Sequence, residues 1–217
     1  MTKISVIITA GGTSSRYGNT NKLLEKINNK TIIEYTVHRF SDNPNISEII
    51  ISANEQIIQI LSELFYENKT IKIIKGGQSR QESVYNALKF VTNDFVLIHD
   101  GARPLISEDI IENTINETIA KGAVSVMAKT TDTIKEVDEN GKIIKTIDRS
   151  KLYNTQTPQG FKTSVIKEAH DKLKGKNYTD DCSMLEELGT PVYIVNGDYK
   201  NIKVTTKSDL EFVKIYI

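Results

Sequence analysis

Three runs of the sequence combine glycines with charged side chains, the composition expected where a protein binds phosphate. The first run is Ala10-Gly-Gly-Thr-Ser-Ser-Arg16-Tyr-Gly18, and Lys22 follows it closely. Small residues let backbone N–H groups approach an anion, and Arg16 and Lys22 can supply positive charge to phosphate oxygens. The run is neither a Walker A loop nor the Gly-x-Gly-x-x-Gly of dinucleotide-binding folds. It predicts a phosphate-binding loop, with a flexible turn whose cations are merely solvated as the alternative.

The second and third runs indicate the rest of a metal–nucleotide site. In Gly76-Gly77-Gln-Ser-Arg80-Gln-Glu-Ser83, two glycines allow close backbone approach, and Ser83 could offer its hydroxyl to a base or ribose. In His99-Asp100-Gly-Ala-Arg103-Pro104, a carboxylate follows an apolar run directly. Mg²⁺ prefers one or two carboxylates together with substrate phosphates, so Asp100 fits a metal role. The alternatives are a turn that leads into a helix for the second run, and an N-cap or an ion pair with Arg103 for Asp100.

Four more polar runs stand beside apolar segments in the last third of the chain. Taken singly, each is more typical of a turn, a helix cap or a solvated face than of a site. They are Asp148-Arg149, Thr155-Gln-Thr157-Pro-Gln159, Thr179-Asp180-Asp181 and Asn201-Ile-Lys203-Val-Thr205.

The histidines and the single cysteine are not expected to do chemistry. His38 and His170 lie in helical patterns and are assigned structural or surface roles. His99 is expected to orient the loop that carries Asp100 rather than to transfer protons. Cys182 has no base near it in the sequence and is expected to be a small packed residue.

The elements that must position these runs alternate between apolar, β-branched segments and amphipathic helical patterns, which is typical of βαβ units on a parallel sheet. We predict strands over residues 4–9, 47–53, 70–75, 94–99, 123–128, 192–196 and 202–204. We predict helices over residues 31–40, 55–66, 79–90, 162–174 and 180–188, with others beginning at residues 107 and 208. In open α/β sheets ligands bind beyond the carboxyl ends of the strands, where the polar runs lie.

The alternation breaks at residues 133–147, which read as short strands around Asp138-Glu139-Asn140-Gly141. Its Asn-Gly pair is a strong hairpin signal, so we predict a projecting β-arm at about residues 130–152. An arm this short is marginal alone, and packing on a partner subunit would stabilise it. With no Pro-, Gly- or Ser-rich linker and no internal repeat, residues 1–217 are predicted to be a single domain with an arm.

The composition excludes several classes of protein. The 217 residues carry 28 basic and 28 acidic side chains, and 38% are hydrophobic, which is typical of a globular protein with a core. Balanced charge argues against partners such as long nucleic acids or anionic membranes. A single cysteine cannot form an intrachain disulfide, and no window approaches the roughly 20 apolar residues of a membrane span. We therefore predict a cytoplasmic protein.

Taken jointly, the runs between residues 10 and 205 resemble the cytidylyltransferases that act on 2-C-methyl-D-erythritol 4-phosphate in the non-mevalonate isoprenoid pathway. The order and spacing of the three glycine-containing runs match that family, as do Asp-Arg-Ser-Lys-Leu-Tyr, Gln-Thr-Pro-Gln-Gly-Phe, Thr-Asp-Asp and Asn-Ile-Lys-Val-Thr. The resemblance implies a Rossmann-like nucleotidyltransferase fold, a homodimer with exchanged arms, CTP as co-substrate, Mg²⁺ as cofactor and release of pyrophosphate.

The resemblance also implies roles at the matching positions. CTP would be bound by Ala10, Gly11, Gly12, Arg16, Lys22, Gly77, Ser83 and Asp100, and Asp100 would also meet the metal. The sugar-alcohol phosphate would be bound by Asp100, Arg103, Thr133, Arg149 of the partner's arm, Thr179 and Lys203, with Asp180 beside Thr179. The catalytic cations would be Arg16, Lys22, Arg149 and Lys203. Two departures, Thr9-Ala10-Gly11 for proline and two alanines and Leu23-Leu24 for glutamine and an aromatic, remove no charged group.

Three other functions stay open at the level of the sequence. Ribitol-5-phosphate cytidylyltransferases share the scaffold, but the His-Asp-Gly-Ala-Arg-Pro run and the retained Asp-Arg and Thr-Asp-Asp runs favour methylerythritol phosphate. A non-catalytic nucleotide-binding module would show the same residues without turnover. A dehydrogenase is poorly supported, since the first loop lacks the required glycine spacing. The cations Arg16, Lys22, Arg103, Arg149 and Lys203 are predicted to converge on one crevice.

Overall fold

The structure, a computed structural model, describes residues 2–12, 17–18 and 20–217. Its strands are β1 (Ile4–Ala10), β2 (Lys26–Ile27), β3 (Lys30–Thr31), β4 (Ile46–Ala53), β5 (Ile71–Lys75), β6 (Phe95–Asp100), β7 (Ala123–Lys129), β8 (Lys135–Val137), β9 (Ile143–Thr146), β10 (Tyr153–Lys162) and β11 (Tyr193–Asn196). Its α-helices are α1 (Ile32–Ser41), α2 (Ile58–Leu64), α3 (Arg80–Leu88), α4 (Glu108–Lys121), α5 (Thr163–Lys172), α6 (Cys182–Glu187) and α7 (Lys207–Lys214). Two 3₁₀ turns cover Lys22–Leu24 and Arg149–Lys151.

Seven strands form one sheet in the order β11-β7-β10-β6-β1-β4-β5. The pairs β1–β4, β1–β6, β4–β5 and β7–β11 are parallel, whereas β10 runs antiparallel to both of its neighbours. This mostly parallel sheet flanked by helices confirms the predicted α/β fold class. The carboxyl ends of β1 and β6 lie side by side, because Thr9 pairs with Asp100.

The sheet is buried on both faces by helices, which explains the continuous apolar runs of its central strands. In β1, Val6 and Ile8 pack on one side in a cluster that includes residues of α1, α2, α4 and α7. Ile7 points to the other side, into a cluster with residues of α3, α5 and α6. Within the described chain, no helix is long and apolar enough to cross a membrane.

The strand predicted over residues 202–204 is wrong. The segment lies along the carboxyl edge of the sheet and makes isolated contacts rather than a ladder. Val204 N donates to Ala102 O at 2.8 Å, and Asn201 donates through its side chain to Thr157 O at 2.9 Å. The apolar alternation that suggested a strand reflects one buried side chain, Val204, between half-buried neighbours.

The polar run at residues 155–159 is likewise not a turn or a cap. It lies inside β10, and residues 156–160 are buried. The strand tolerates polar residues because they are hydrogen-bonded: Gln159 Nε2 donates to Ser125 Oγ at 3.2 Å, and Gln156 Nε2 donates to Asp198 O at 2.8 Å. Pro158 is accommodated where the register with β7 shifts between Thr155 and Gln159.

The predicted hairpin is present as a separate two-stranded sheet of β8 and β9, with a turn closed by Gly141 N donating to Asp138 O at 3.0 Å. Its apolar side chains Val137, Ile143 and Ile144 are 52–58% exposed. The chain returns from the hairpin through the 3₁₀ turn at Arg149 directly into β10. The arm is therefore covalently continuous with a buried strand of the main sheet.

Candidate active site

Two cavities lie at the carboxyl edge of the sheet, and they share a wall. The first, of about 310 Å³, is bordered by the end of β1, the 3₁₀ turn at Lys22 and the N-terminus of α3. The second, of about 390 Å³, is bordered by β10, the segment before α6 and the end of β7. Arg80, Asp100 and Lys203 line both cavities. A group held in one cavity can therefore meet a group held in the other across these three side chains.

Asp100 is the centre of this wall. Its Oδ2 lies 3.0 Å from Lys203 Nζ and 3.3 Å from Arg103 Nε, and its Oδ1 lies 3.6 Å from Arg80 Nε. Thr9 Oγ1 donates to Oδ1 at 3.4 Å. Burial would raise the pKa of the Asp100 carboxyl, but the three cations hold it well below its ordinary value. Asp100 is therefore ionised at neutral pH and fixes three cations at the boundary between the cavities.

His99 supports this loop from behind. Burial lowers the pKa of His99 to about 4, so the ring is neutral at pH 7. Nε2 lies 3.2 Å from Arg103 O and must donate, because a carbonyl only accepts, which leaves Nδ1 to accept from Thr157 Oγ1 at 3.1 Å. The Thr157 hydroxyl in turn accepts from Asp100 N at 3.0 Å. His99 thus orients the Asp100 loop, as expected, and its ring is uncharged at pH 7.

Five of the residues predicted to bind CTP line the first cavity: Gly11, Gly12, Lys22, Gly77 and Ser83. A Cβ on Gly77 would overlap Glu82 at 2.3 Å, so this position accepts only glycine without a shift. The Ser83 hydroxyl has a different contact from the one expected, since Oγ donates to Ser79 O at 2.8 Å and accepts from Gly77 N at 3.0 Å. A hydroxyl has one donor and two acceptor sites, so Ser83 offers a ligand at most one lone pair.

Two further expectations concern the loop after β1. Ala10 is the last residue of β1 and is 1% exposed, and what it can present is its backbone. Arg16 lies outside the described residues. Lys22 begins a 3₁₀ turn capped by Asn21, whose Oδ1 accepts from Leu23 N at 3.1 Å. The buried Leu23 side chain anchors this turn in the core, which places Lys22 at the rim of the first cavity.

The second cavity holds Arg103, Thr179, Asp180 and Lys203. Arg103 Nη1 donates to Asn201 O at 2.7 Å, so the guanidinium is tied to the segment that carries Lys203. Asp180 is already engaged by hydrogen bonds, because its Oδ2 accepts from Gln159 Nε2 at 2.7 Å and its Oδ1 accepts from Ser183 N at 3.1 Å. Asp180 therefore forms part of the cavity wall, and both oxygens of its carboxylate already accept hydrogen bonds.

Thr133 and Arg149 are not brought to either cavity within one chain. Both residues are exposed on the arm, where Arg149 Nη1 donates to Thr131 O. Of the cations predicted to converge on one crevice, Lys22 and Lys203 line the first cavity, and Arg103 and Lys203 line the second. Arg149 lines neither cavity in the isolated chain, and Arg16 lies outside the described residues.

Sequence reasoning missed Arg80, although it lies within a quoted run. Arg80 stands one turn before Ser83 and looked like part of a helix entrance, whereas its guanidinium joins Asp100 to Asp181, with Nη1 2.7 Å from Asp181 Oδ2. Gln159 was missed for a different reason, because a polar residue in a Pro-containing run did not suggest a strand. The available signal for Arg80 was its position, two residues after Gly77-Gln78 at the N-terminus of a predicted helix.

The donor set for a divalent cation is small. Among the described residues, no group of three or more His, Cys, Asp or Glu side chains could hold a metal ion. The first cavity offers one carboxylate, Asp100, with Lys203 3.0 Å away. One carboxylate fits Mg²⁺, which retains water and is commonly held by one or two carboxylates together with substrate phosphates.

An open, mostly parallel α/β sheet with a glycine-lined, cation-bearing cavity at its carboxyl edge defines a nucleotide-binding protein of the Rossmann-like class. A family model described as IspD, 2-C-methyl-D-erythritol 4-phosphate cytidylyltransferase, matches residues 4–217. The chain belongs to this family.

Individual relatives agree with the family assignment. The chain is 44% identical over 218 residues to the 2-C-methyl-D-erythritol 4-phosphate cytidylyltransferase of Clostridium botulinum strain 657. The aligned region covers 97% of this chain and 95% of that protein. It is 42% identical to the protein of the same name from Dictyoglomus thermophilum, over 97% of this chain and 94% of that one. The crystal structure of 4-diphosphocytidyl-2C-methyl-D-erythritol synthase from Anaerococcus prevotii has a TM-score of 0.88 at 31% identity, covering 99% of this chain and 98% of that one.

Proposed function

We propose that the chain transfers CMP from CTP to 2-C-methyl-D-erythritol 4-phosphate, giving 4-diphosphocytidyl-2-C-methyl-D-erythritol and pyrophosphate, in isoprenoid precursor synthesis. The observation that carries the proposal is the shared wall of Arg80, Asp100 and Lys203 between two cavities. A nucleotidyltransferase must hold two anions so that an oxygen of one faces the phosphorus of the other. Membership of the cytidylyltransferase family supports the identity of both substrates.

CTP occupies the first cavity in this proposal. Gly11 and Gly77 let the base approach the backbone, and Lys22 and Arg16 bind the triphosphate. The described side chains of this cavity include three cations, Lys22, Arg80 and Lys203, against one carboxylate. That excess of positive charge suits a polyanion, and fixed cations stabilise the charge that builds on the α-phosphate in the transition state.

The acceptor occupies the second cavity with its phosphate at the shared wall, near Arg103 and Lys203, and with Thr179 beside the sugar. A phosphate is already ionised at pH 7, so attack on the α-phosphorus needs no protein nucleophile and no strong base. The phosphate oxygen forms the new bond to phosphorus while pyrophosphate leaves with the electron pair of the broken bond. The protein supplies position and charge.

Mg²⁺ is part of the proposal, with Asp100 as its protein ligand. When bound, the ion neutralises phosphate charge and orients the triphosphate. Asp100 then serves both the ion and the wall cations, and Lys203, 37% exposed, is the neighbour with most freedom to turn toward a phosphate.

A homodimer completes the second cavity. Within one chain its described lining has three cations against the three carboxylates of Asp100, Asp180 and Glu186, so it has no surplus charge for a phosphate. Arg149 and Thr133 stand exposed on the arm, next to the apolar Val137, Ile143 and Ile144. We infer that the arm packs on a partner subunit and brings Arg149 to the second cavity of that partner, where we place the acceptor. The single domain of residues 1–217 and the cytoplasmic location stay predictions from the sequence.

The deciding experiment measures pyrophosphate released from CTP and Mg²⁺ with a panel of acceptors. We expect turnover with 2-C-methyl-D-erythritol 4-phosphate and far less with ribitol 5-phosphate. A preference for ribitol 5-phosphate would change the proposed acceptor and leave the proposed transfer of CMP from CTP unchanged. Calorimetric binding of CTP without turnover on any acceptor would instead indicate a non-catalytic nucleotide-binding module.

A further inference from the structure

One buried polar contact is not used by the proposed reaction. His170 on α5 and Asp181, just before α6, are each 1% exposed, and His170 Nε2 lies 3.6 Å from Asp181 Oδ1. In the described part of the chain, neither atom has a hydrogen-bond partner. An unpaired buried donor or acceptor costs about 1–3 kcal/mol, so two of them facing each other without a function would be unusual.

Asp181 connects this contact to the active site. Its other oxygen, Oδ2, lies 2.7 Å from Arg80 Nη1, and the opposite side of the same guanidinium, Nε, lies 3.6 Å from Asp100 Oδ1. A continuous line of contacts therefore joins His170 to Asp181, Asp181 to Arg80, and Arg80 to the wall between the two cavities. His170 itself lines neither of those cavities.

The backbone of Asp181 is already fixed, which leaves only the rotation of its carboxylate to be controlled. Asp181 N donates to Gln159 Oε1 at 3.1 Å, and Gln159 is itself held by Ser125 and Asp180. A carboxylate with one oxygen on Arg80 and the other free can turn about its own axis and carry the guanidinium with it. A donor at Oδ1 prevents that rotation.

We propose that His170 is a positioning residue for Arg80: its Nε2–H donates to Asp181 Oδ1 and fixes the carboxylate that holds the guanidinium at the wall. The 3.6 Å separation is only slightly longer than a hydrogen bond, and hydrogen bonds at active sites are often long when no substrate is bound. Burial would raise the pKa of Asp181, but Arg80 and His170 lower it below its ordinary value, which keeps the carboxylate anionic.

The ring of His170 is oriented from the opposite side. It stacks on Tyr85 of α3 with centroids 5.9 Å apart and an interplanar angle of 23°. Tyr85 is fixed in turn, because its hydroxyl donates to Asp171 Oδ1 at 2.9 Å. The imidazole is thus held between an aromatic face and the Asp181 carboxylate, an arrangement that presents Nε2 to a single acceptor.

The test compares His170→Gln, which can keep a donor near the Nε2 position, with His170→Met, which keeps the bulk and removes the donor. The proposal rests on the proposed function, so turnover of the wild type with CTP and the acceptor is measured first. If the wild type shows no turnover, the proposed function fails. Calorimetric measurement of CTP binding to both variants would then still test whether His170 positions Arg80.

For His170→Met we expect the KM for CTP and for the acceptor to rise about tenfold, an effect within the range of coupling between neighbouring residues. The kcat per folded molecule should fall as well, because Arg80 is one of the cations proposed to stabilise the transition state. His170→Gln should restore most of the wild-type KM. The matched pair His38→Gln and His38→Met, at an exposed histidine of α1, should leave both KM values unchanged. The folded fraction of every variant is taken from its thermal unfolding curve.

A purely structural role for His170 would lower the folded fraction and leave both KM values unchanged, and that outcome overturns the proposal. Equal KM values for His170→Gln and His170→Met overturn it too. If His170→Met does not fold, Asp181→Asn provides the second measurement, since it removes the anion that holds Arg80. The same rise of KM supports the proposal, and an unchanged KM contradicts it.

Discussion

At the scale of residues, the site depends on charges that are fixed before any substrate is present. Asp100 holds Arg80, Arg103 and Lys203 within 3.0–3.6 Å, and a neutral His99 holds the loop on which Asp100 lies. Three cations gathered around one carboxylate would repel one another if that carboxylate were absent. The side chains that we propose to bind phosphate are therefore held in place by buried partners before any substrate arrives.

Lys22→Ala tests the triphosphate contact. We expect kcat/KM to fall about a hundredfold, since removing one cation from a developing charge typically costs roughly 3 kcal/mol of transition-state stabilisation. Lys26→Ala, at an exposed lysine of β2, is the matched control and should retain full activity. Near wild-type turnover in Lys22→Ala would remove Lys22 from the mechanism.

His99 predicts a pH dependence of stability. Burial lowers its pKa to about 4 from an ordinary 6.5, so between these values the unfolded state binds more protons and the free energy of unfolding rises with pH. The stabilisation is complete above pH 6.5 and is lost as the pH falls toward 4, by about 3 kcal/mol in total. Urea unfolding between these pH values measures it.

His99→Gln removes the titrating ring, and its free energy of unfolding should vary less across that interval than the wild-type value does. His38→Gln, at an exposed histidine, should keep the wild-type slope. An identical slope in His99→Gln would show that another group causes the dependence.

At the scale of elements, β10 does the most to build the site. It runs antiparallel to both of its neighbours in the seven-stranded sheet, and its Gln156, Thr157 and Gln159 line the second cavity. Its packing against α4 is close, because a Cβ on Gly160 would come within 1.9 Å of Thr118 Oγ1. The absence of a side chain at Gly160 is therefore what lets α4 approach the sheet.

Gly160→Ala tests this contact. Overpacking of a filled interior costs roughly 1–3 kcal/mol, and we expect the midpoint of urea unfolding to fall accordingly. Thr118→Ala removes the hydroxyl that the new methyl group would meet. The double variant should consequently be more stable than the sum of the two single changes predicts. Strict additivity of the three free energies would indicate that the helix simply moves away.

The alternation of apolar segments with amphipathic helical patterns was enough to predict the parallel strands. A strand that is buried on both faces is a continuous hydrophobic run, as in Ile4–Ala10. It was not enough for β10, where Gln156 and Gln159 are buried by virtue of specific hydrogen-bond partners on other elements. The same limit applies to Arg80, whose importance depends on Asp181, a hundred positions away in the chain. Pairings of this kind follow from tertiary structure and leave no periodic signal.

At the scale of the whole molecule, the formal charge is zero, with 28 basic and 28 acidic residues. Among the described lining residues, the first cavity has an excess of cations and the second cavity is balanced within one chain. A partner's arginine would supply the missing charge. If the proposed dimer forms, catalysis would depend on the pair of subunits rather than on one chain.

Mixing two inactive variants tests that statement. In a heterodimer of Lys22→Ala with Arg149→Ala, one site has both defects, and the other has an intact Lys22 together with an intact arginine from its partner. A random mixture should therefore regain about a quarter of wild-type activity after subunit exchange. Each variant alone should stay inactive, and no recovery in an exchanged mixture would place Arg149 in its own subunit's site. An Arg149→Ala variant that is active by itself would place Arg149 outside the reaction.

The carboxylate of Asp100 has one more consequence. By gathering Arg80, Arg103 and Lys203 around a single anion, the folded chain already holds a negative charge where the proposed function would place a phosphate. Under that proposal, substrate binding would exchange one anion for another at cations that are already in place. The reorganisation that remains is small, and it falls mainly on Lys203, the most exposed of the three.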